Sequence, residues 1–150
     1  MAFKHKKIWI LVADRAKGKV FEWLQDTRGV HEILFMEESD ARKPERELKA
    51  ERAGQGQGFA GKIRYSVEDK AHYKEQASEA FLSELAQYLS TPDVLKAYDE
   101  LVVIAAEDVY KLIRHRLSAG AAAKIGRHHA KNVTNMPASD LADYFVNKVA

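Results

Sequence analysis

The chain contains no cysteine. Disulfides, thiolate zinc sites and thiol nucleophiles are thereby excluded, and the lack fits a reducing compartment without requiring one. No stretch approaches the roughly 18 apolar residues that a membrane span needs. The run Ile8-Trp9-Ile10-Leu11-Val12-Ala13 follows a basic opening, Met1-Ala2-Phe3-Lys4-His5-Lys6-Lys7, but is too short for a signal-peptide core and soon meets Asp14 and Arg15. Cytoplasmic residence, with no membrane partner, is the expectation. Acidic residues are missing from the whole interval between Asp108 and Asp140, which holds Lys111, Arg114, His115, Arg116, Lys124, Arg127, His128, His129 and Lys131. Glycine is sparse at 8 residues, and half of these (Gly54, Gly56, Gly58 and Gly61) fall in the single window 53–62. Each glycine raises the entropy lost on folding, so such a concentration implies a loop that uses the backbone freedom.

What is present reads as one folded domain. The length of 150 residues suits a single domain with its own core, and 46% hydrophobic with 31% charged residues is a globular rather than a disordered composition. The net charge of +2 is modest, but a second basic stretch (Arg42, Lys43, Arg46, Lys49, Arg52, Lys62, Arg64) surrounds the glycine window. Two basic patches point to an anionic partner, with RNA or a ribosomal surface first among the candidates. Solvated surface charge is the alternative. No cofactor is implied, and the number of copies that assemble is left open.

Along the chain, Ile8-Trp9-Ile10-Leu11-Val12-Ala13 has the look of a strand buried on both faces. Asp14-Arg15-Ala16-Lys17-Gly18 forms a turn in which Gly18 is free to take positive φ. Lys19-Val20-Phe21-Glu22-Trp23-Leu24 is a second strand, Asp26-Thr27-Arg28-Gly29 a second turn, and His31-Glu32-Ile33-Leu34-Phe35-Met36-Glu37 a third strand. Such short gaps imply an antiparallel meander. A long polar stretch follows, with room for a short helix over 44–52. Ser66 and Asp69 have capping-box spacing. Tyr73, Ala77, Phe81, Leu85 and Leu89 then recur every four residues, an amphipathic helix to about Ser90. Thr91-Pro92-Asp93 opens a short helix through Ala97, and Leu101-Val102-Val103-Ile104-Ala105-Ala106 is a further buried strand. Glu107 or Asp108 caps the next helix, which ends at Ser118-Ala119-Gly120. The segment 121–124 is ambiguous, 125–133 is an edge strand, and 137–149 a closing helix. The expected fold is α/β with the order β-β-β-α-β-α-β-α: a ribonuclease H-like mixed sheet with helices packed on it.

Trp9-Ile10-Leu11-Val12-Ala13-Asp14-Arg15-Ala16-Lys17-Gly18-Lys19-Val20-Phe21 resembles the opening of the bacterial host attachment protein family, which is itself similar to the central domain of archaeal and eukaryotic peptide-chain release factors and of Pelota. Glu45-Arg46-Glu47-Leu48, the glycine loop, the helix start over 69–81 with His72, and Leu101-Val102-Val103-Ile104-Ala105 fall where that family has its corresponding pieces. The resemblance covers nearly the whole chain and implies one release-factor-like domain over 1–150. In release factors the matching loop carries Gly-Gly-Gln, whose glutamine helps place water against the peptidyl-tRNA ester. Here Gly54-Gln55 and Gly56-Gln57 are preceded by Ala53 and Gln55, so the tripeptide is not intact.

The function expected from these readings is translation-linked binding of tRNA or the ribosome. Arg52, Gly54, Gly56, Gly58, Lys62, Arg64, Tyr65, Arg114, Arg116 and Arg127 would contact RNA. In a catalytic version Gln55 or Gln57 would orient water for peptidyl-tRNA ester cleavage; whether there is turnover stays open. The alternative is a non-catalytic protein-interaction role in host attachment. A further alternative is a metal-dependent nuclease using Asp14, Glu107 or Asp108, and Glu75 or Glu79. No metal site is expected: His128 and His129 are strand neighbours that point to opposite faces and cannot share an ion. Gly61-Lys62-Ile63 lacks the hydroxyl of a P-loop. Trp9 and Trp23 are expected to pack on the sheet.

Overall fold

The computed structural model of the protein describes residues 6–38 and 67–149, with side chains from 74 onward in the second stretch. The expected helix over 44–52, the Ser66 cap and the glycine-glutamine loop lie outside the described residues, and with them Arg52, Gly54, Gln55, Gly56, Gln57, Gly58, Lys62, Arg64 and Tyr65. The strands are β1 (Ile8–Ala13), β2 (Lys17–Leu24), β3 (Gly29–Glu37), β4 (Glu100–Ile104) and β5 (Ile125–His129). The helices are α1 (Val67–Ser90), α2 (Pro92–Leu95), α3 (Glu107–Arg116), α4 (Ala119–Ala123) and α5 (Ala138–Tyr144), which continues into a π-helical turn at Phe145–Val149. The five strands form one mixed sheet in the order β3-β2-β1-β4-β5. β1 runs antiparallel to β2 and β2 to β3, whereas β4 is parallel to both β1 and β5.

Period-two alternation along β1 divides its side chains between two cores. Trp9, Leu11 and Ala13 join Leu101, Val103 and Ala105 under α1, α3 and α4. Ile8, Ile10 and Val12 join Val102 and Ile104 under Leu141 and Phe145 from the C-terminal segment. The four-residue repeat of α1 buries Phe81, Leu85 and Leu89, with Leu82 and Ala86 alongside. Trp9 stacks on Tyr98 at 5.0 Å between ring centres, and Trp23 packs on Phe145 at 4.7 Å.

Several local expectations are corrected by tertiary contacts. Gly18 is not a turn glycine; it is paired within β2, opposite Ala13 and Met36. A Cβ there would lie 2.7 Å from Cδ2 of Leu85, so the position is small because α1 presses onto it. The turn is closed instead by Asp14 N–H donating to the Lys17 carbonyl at 2.9 Å. Ala106, rather than Glu107 or Asp108, holds the N-cap of α3, and both acids lie in its first turn. Ser118 does not merely end a helix: its Oγ accepts from Ala121 N–H and starts α4, settling the ambiguous segment as helical. Ile33 is an extra residue opposite the Val20–Phe21 step, so Ile33 and Leu34 both pack toward the same core. Gly126 is likewise the extra residue between the Leu101–Ile125 and Val102–Arg127 pairs.

Candidate functional site

In an open sheet with parallel strands, the carboxyl ends of adjacent strands whose connections leave in opposite directions form a natural crevice. Here that place lies between the ends of β1 and β4. Asp14 follows β1 directly. Its Oδ1 accepts from Ala16 N–H and Lys17 N–H at 2.7 Å each, and its Oδ2 accepts from Thr134 Oγ at 2.6 Å. Burial pushes the Asp14 carboxyl up, but the Thr134 hydroxyl and the two amides outweigh it and hold the group below its ordinary value. Thr134 is itself buried and lies 2.9 Å from Asn132 Oδ1, while Lys17 Nζ donates to Asn135 Oδ1 at 2.6 Å. Beside this network Arg15 Nη2 meets Asp108 Oδ2 at 2.8 Å. The Arg15 hydrogen bond is the main reason the Asp108 carboxyl stands below its usual value.

This arrangement is chemically quiet. A nuclease needs carboxylates converging on divalent cations, yet Asp14 spends its oxygens on a turn and a threonine, Asp108 faces a guanidinium, and Glu107 reaches Lys111 at 3.9 Å on the same helix. Among the described residues no group of three His, Asp or Glu side chains is placed to hold a metal ion. The nuclease constellation of Asp14, Asp108 and Glu75 or Glu79 therefore does not assemble. His128 and His129 do diverge: His128 stacks on Tyr110 at 3.7 Å and donates from Nε2 to the Ala105 carbonyl, while His129 meets the edge of Tyr144 on the other face.

Of the ten residues expected to contact RNA, the described part contains Arg114, Arg116 and Arg127, and it does not bring them together. Arg114 and Arg116 are exposed in the last turn of α3, where cations complement the helix dipole. Arg127 lies on the opposite side of the sheet, its guanidinium 5.4 Å from the Phe145 ring. There it is paired with Glu100: Nε donates to Oε2 at 3.0 Å and Nη2 to Oε1 at 3.4 Å, and Lys6 Nζ approaches Oε1 at 3.2 Å. Burial raises the Glu100 carboxyl, but the hydrogen bonds from Arg127 and Lys6 prevail and keep it below its ordinary range. Sequence reasoning did not single out Glu100, Thr134 or Lys6. Each acquires its role from a residue at least 27 positions away, and no local pattern marks such a partner.

No helix among the described residues is long and apolar enough to cross a membrane. No curated protein matches the chain. A family model described as a protein required for attachment to host cells matches residues 9–145. That match overturns the expected translation-linked function: what it carries is attachment, and RNA, ribosome, peptidyl-tRNA hydrolysis and the release-factor relationship find no support beside it. With nearly all of its length covered, from the first strand to the π-helical turn, the chain belongs to the host attachment family.

Proposed function

We propose that this protein serves host attachment as a non-catalytic binding protein, through contact with another protein. The family match over residues 9–145 carries the reading. Two features support it. The ionisable groups at the ends of β1 and β4 are engaged with one another rather than presented to a substrate. And β3 is the outer strand of the sheet among the described residues, carrying Phe35 at 46% exposure opposite Lys19 of β2. Outer strands offer backbone donors and acceptors to an extended partner segment, and exposed aromatics add contact area.

Within the same proposal, residues 1–150 form one domain, and the strand order β3-β2-β1-β4-β5 is of the ribonuclease H-like kind. Residence is cytoplasmic, so attachment is served through an internal partner rather than by the chain touching the host. The test is adherence to host cells by a strain lacking the protein, complemented with the wild type or with Phe35→Glu. The deletion should lower adherence and the wild type should restore it. Phe35→Glu should restore it poorly while folding normally, since Phe35 is half exposed. A partner recovered with the wild type should survive nuclease treatment. Undiminished adherence of the deletion strain would remove the reading.

A further inference from the structure

At the opposite end of the sheet from Asp14 lies a groove of about 340 Å³. It is lined by Ile8, Trp23, Arg28, Arg127, Phe145 and Val146, together with Gln25, whose side-chain amide donates to the Lys6 carbonyl. The volume sits at the lower end of the range for small-molecule sites, about 300–1,000 Å³. Three independent features meet here. Arg28 has φ of 56°, the only left-handed non-glycine among the described residues. Arg28 closes the turn over 25–28 between β2 and β3, where hairpins commonly take a left-handed residue, and this fixes where its side chain leaves the backbone. Arg28 makes no ion pair or hydrogen bond within the described structure, so its five donors are unspent. Phe145 and Val146 both come from the π-helical turn, a geometry that recurs at functional sites because it re-aims side chains by one position.

Charge and shape together select the ligand. Lys6 and Arg127 share the single carboxylate of Glu100, and Arg28 adds an unbalanced cation, so the groove has an excess of positive charge. Arg127 uses Nε and Nη2 on Glu100, which leaves Nη1 free to donate. The Trp23 indole and the aliphatic Ile8 and Val146 supply an apolar wall.

We propose that this groove binds a small organic carboxylate bearing a flat apolar group, its carboxylate held by Arg28 with help from Arg127 and its body laid against Trp23. The idea stands apart from the attachment reading and does not depend on it. The same chemistry is met by a free small molecule or by the last residue of a peptide.

The probes are 2-naphthoate and its neutral amide, 2-naphthamide, titrated into the full chain while following the amide and indole N–H signals by NMR. A dipeptide ending in tryptophan, with a free or an amidated carboxyl, forms the second arm. 2-Naphthoate should shift the Trp23 and Arg28 signals, and the amide should bind at least about tenfold more weakly, the size of one charge-assisted hydrogen bond. Arg28→Gly should reduce naphthoate binding by a similar factor; glycine tolerates the left-handed φ, so this variant keeps the fold. Tighter binding of the free dipeptide than of naphthoate assigns the site to peptide ends, and the reverse to free acids. Equal affinity for acid and amide, binding unaffected by Arg28→Gly, or no shift at Trp23 would each overturn the proposal.

Discussion

Thr134 Oγ donates a 2.6 Å hydrogen bond to Asp14 Oδ2, joining two residues 120 positions apart and fastening the segment after β5 to the end of β1. The contact unites the first turn of the sheet with the lead-in to the C-terminal helix, and with the Ala16 and Lys17 amides it holds the Asp14 carboxyl below its ordinary value against the opposing effect of burial. Replacing Thr134 by valine keeps the shape and removes the donor. A hydrogen bond to a charged group is worth about 1.5–3 kcal/mol, so Thr134→Val should lose stability of that order in urea denaturation.

Acid should weaken the protein through the same carboxylate. Asp14 titrates below its ordinary value of 3.8 in the folded state, so on acidification the unfolded chain takes up the proton first. The stability contributed by Asp14 is therefore fully present above the unfolded value and is lost as the pH falls through the folded one. Unfolding midpoints measured from pH 6 downward should fall steeply below about pH 4, with Glu100 and Asp108 contributing in the same direction. Thr134→Val should flatten this dependence, because it removes one cause of the lowering.

Gly126 should resist even alanine. The Cβ would run into the Glu100 carboxylate, which Arg127 and Lys6 hold in place. Overpacking of this kind costs about 1–3 kcal/mol. Gly126→Ala should therefore be destabilising in the wild type and much less so beside Glu100→Ala. A double-mutant cycle by denaturant unfolding reads the difference.

Among the described tyrosines Tyr98 should be the last to ionise. It is fully buried, its hydroxyl donates to the Leu89 carbonyl at 2.9 Å, and burial pushes it up to about 12. Because the folded value is raised, its contribution to stability is complete below the unfolded value near 10 and disappears as the pH rises toward 12. An ultraviolet titration of Tyr98→Phe should lose amplitude from the latest phase alone. The variant should also be less stable by about 1 kcal/mol for the lost hydrogen bond.

Gly18→Ala should cost about 1–3 kcal/mol through the crowded Leu85 side chain. Leu85→Ala in the same molecule should recover part of that loss by making room. Thermal unfolding of the two single variants and the double variant measures the coupling.

The alternation of β1, the unbroken apolar run of β4 and the four-residue repeat of α1 were legible in the sequence, because each is a periodicity within one segment, and burial of one face follows from it directly. The division of His128 and His129 between two faces followed from the same rule. The family was legible too, in the residues from Trp9 to Phe21 and in the later pieces. The function was misread: two basic stretches suggested RNA, whereas the family match carries attachment, and in the stretch between Asp108 and Asp140 Arg127 turns inward to Glu100 and is separated by the sheet from Arg114 and Arg116. Charge counted along a chain does not say which cations share a surface. The need for glycine at positions 18 and 126, the pairing of Thr134 with Asp14, and the placing of Arg28, Trp23 and Phe145 around one groove were decided only by the packed structure. Each depends on a distance between atoms far apart in the chain, set when strands and helices close on one another, and no short-range pattern carries that information.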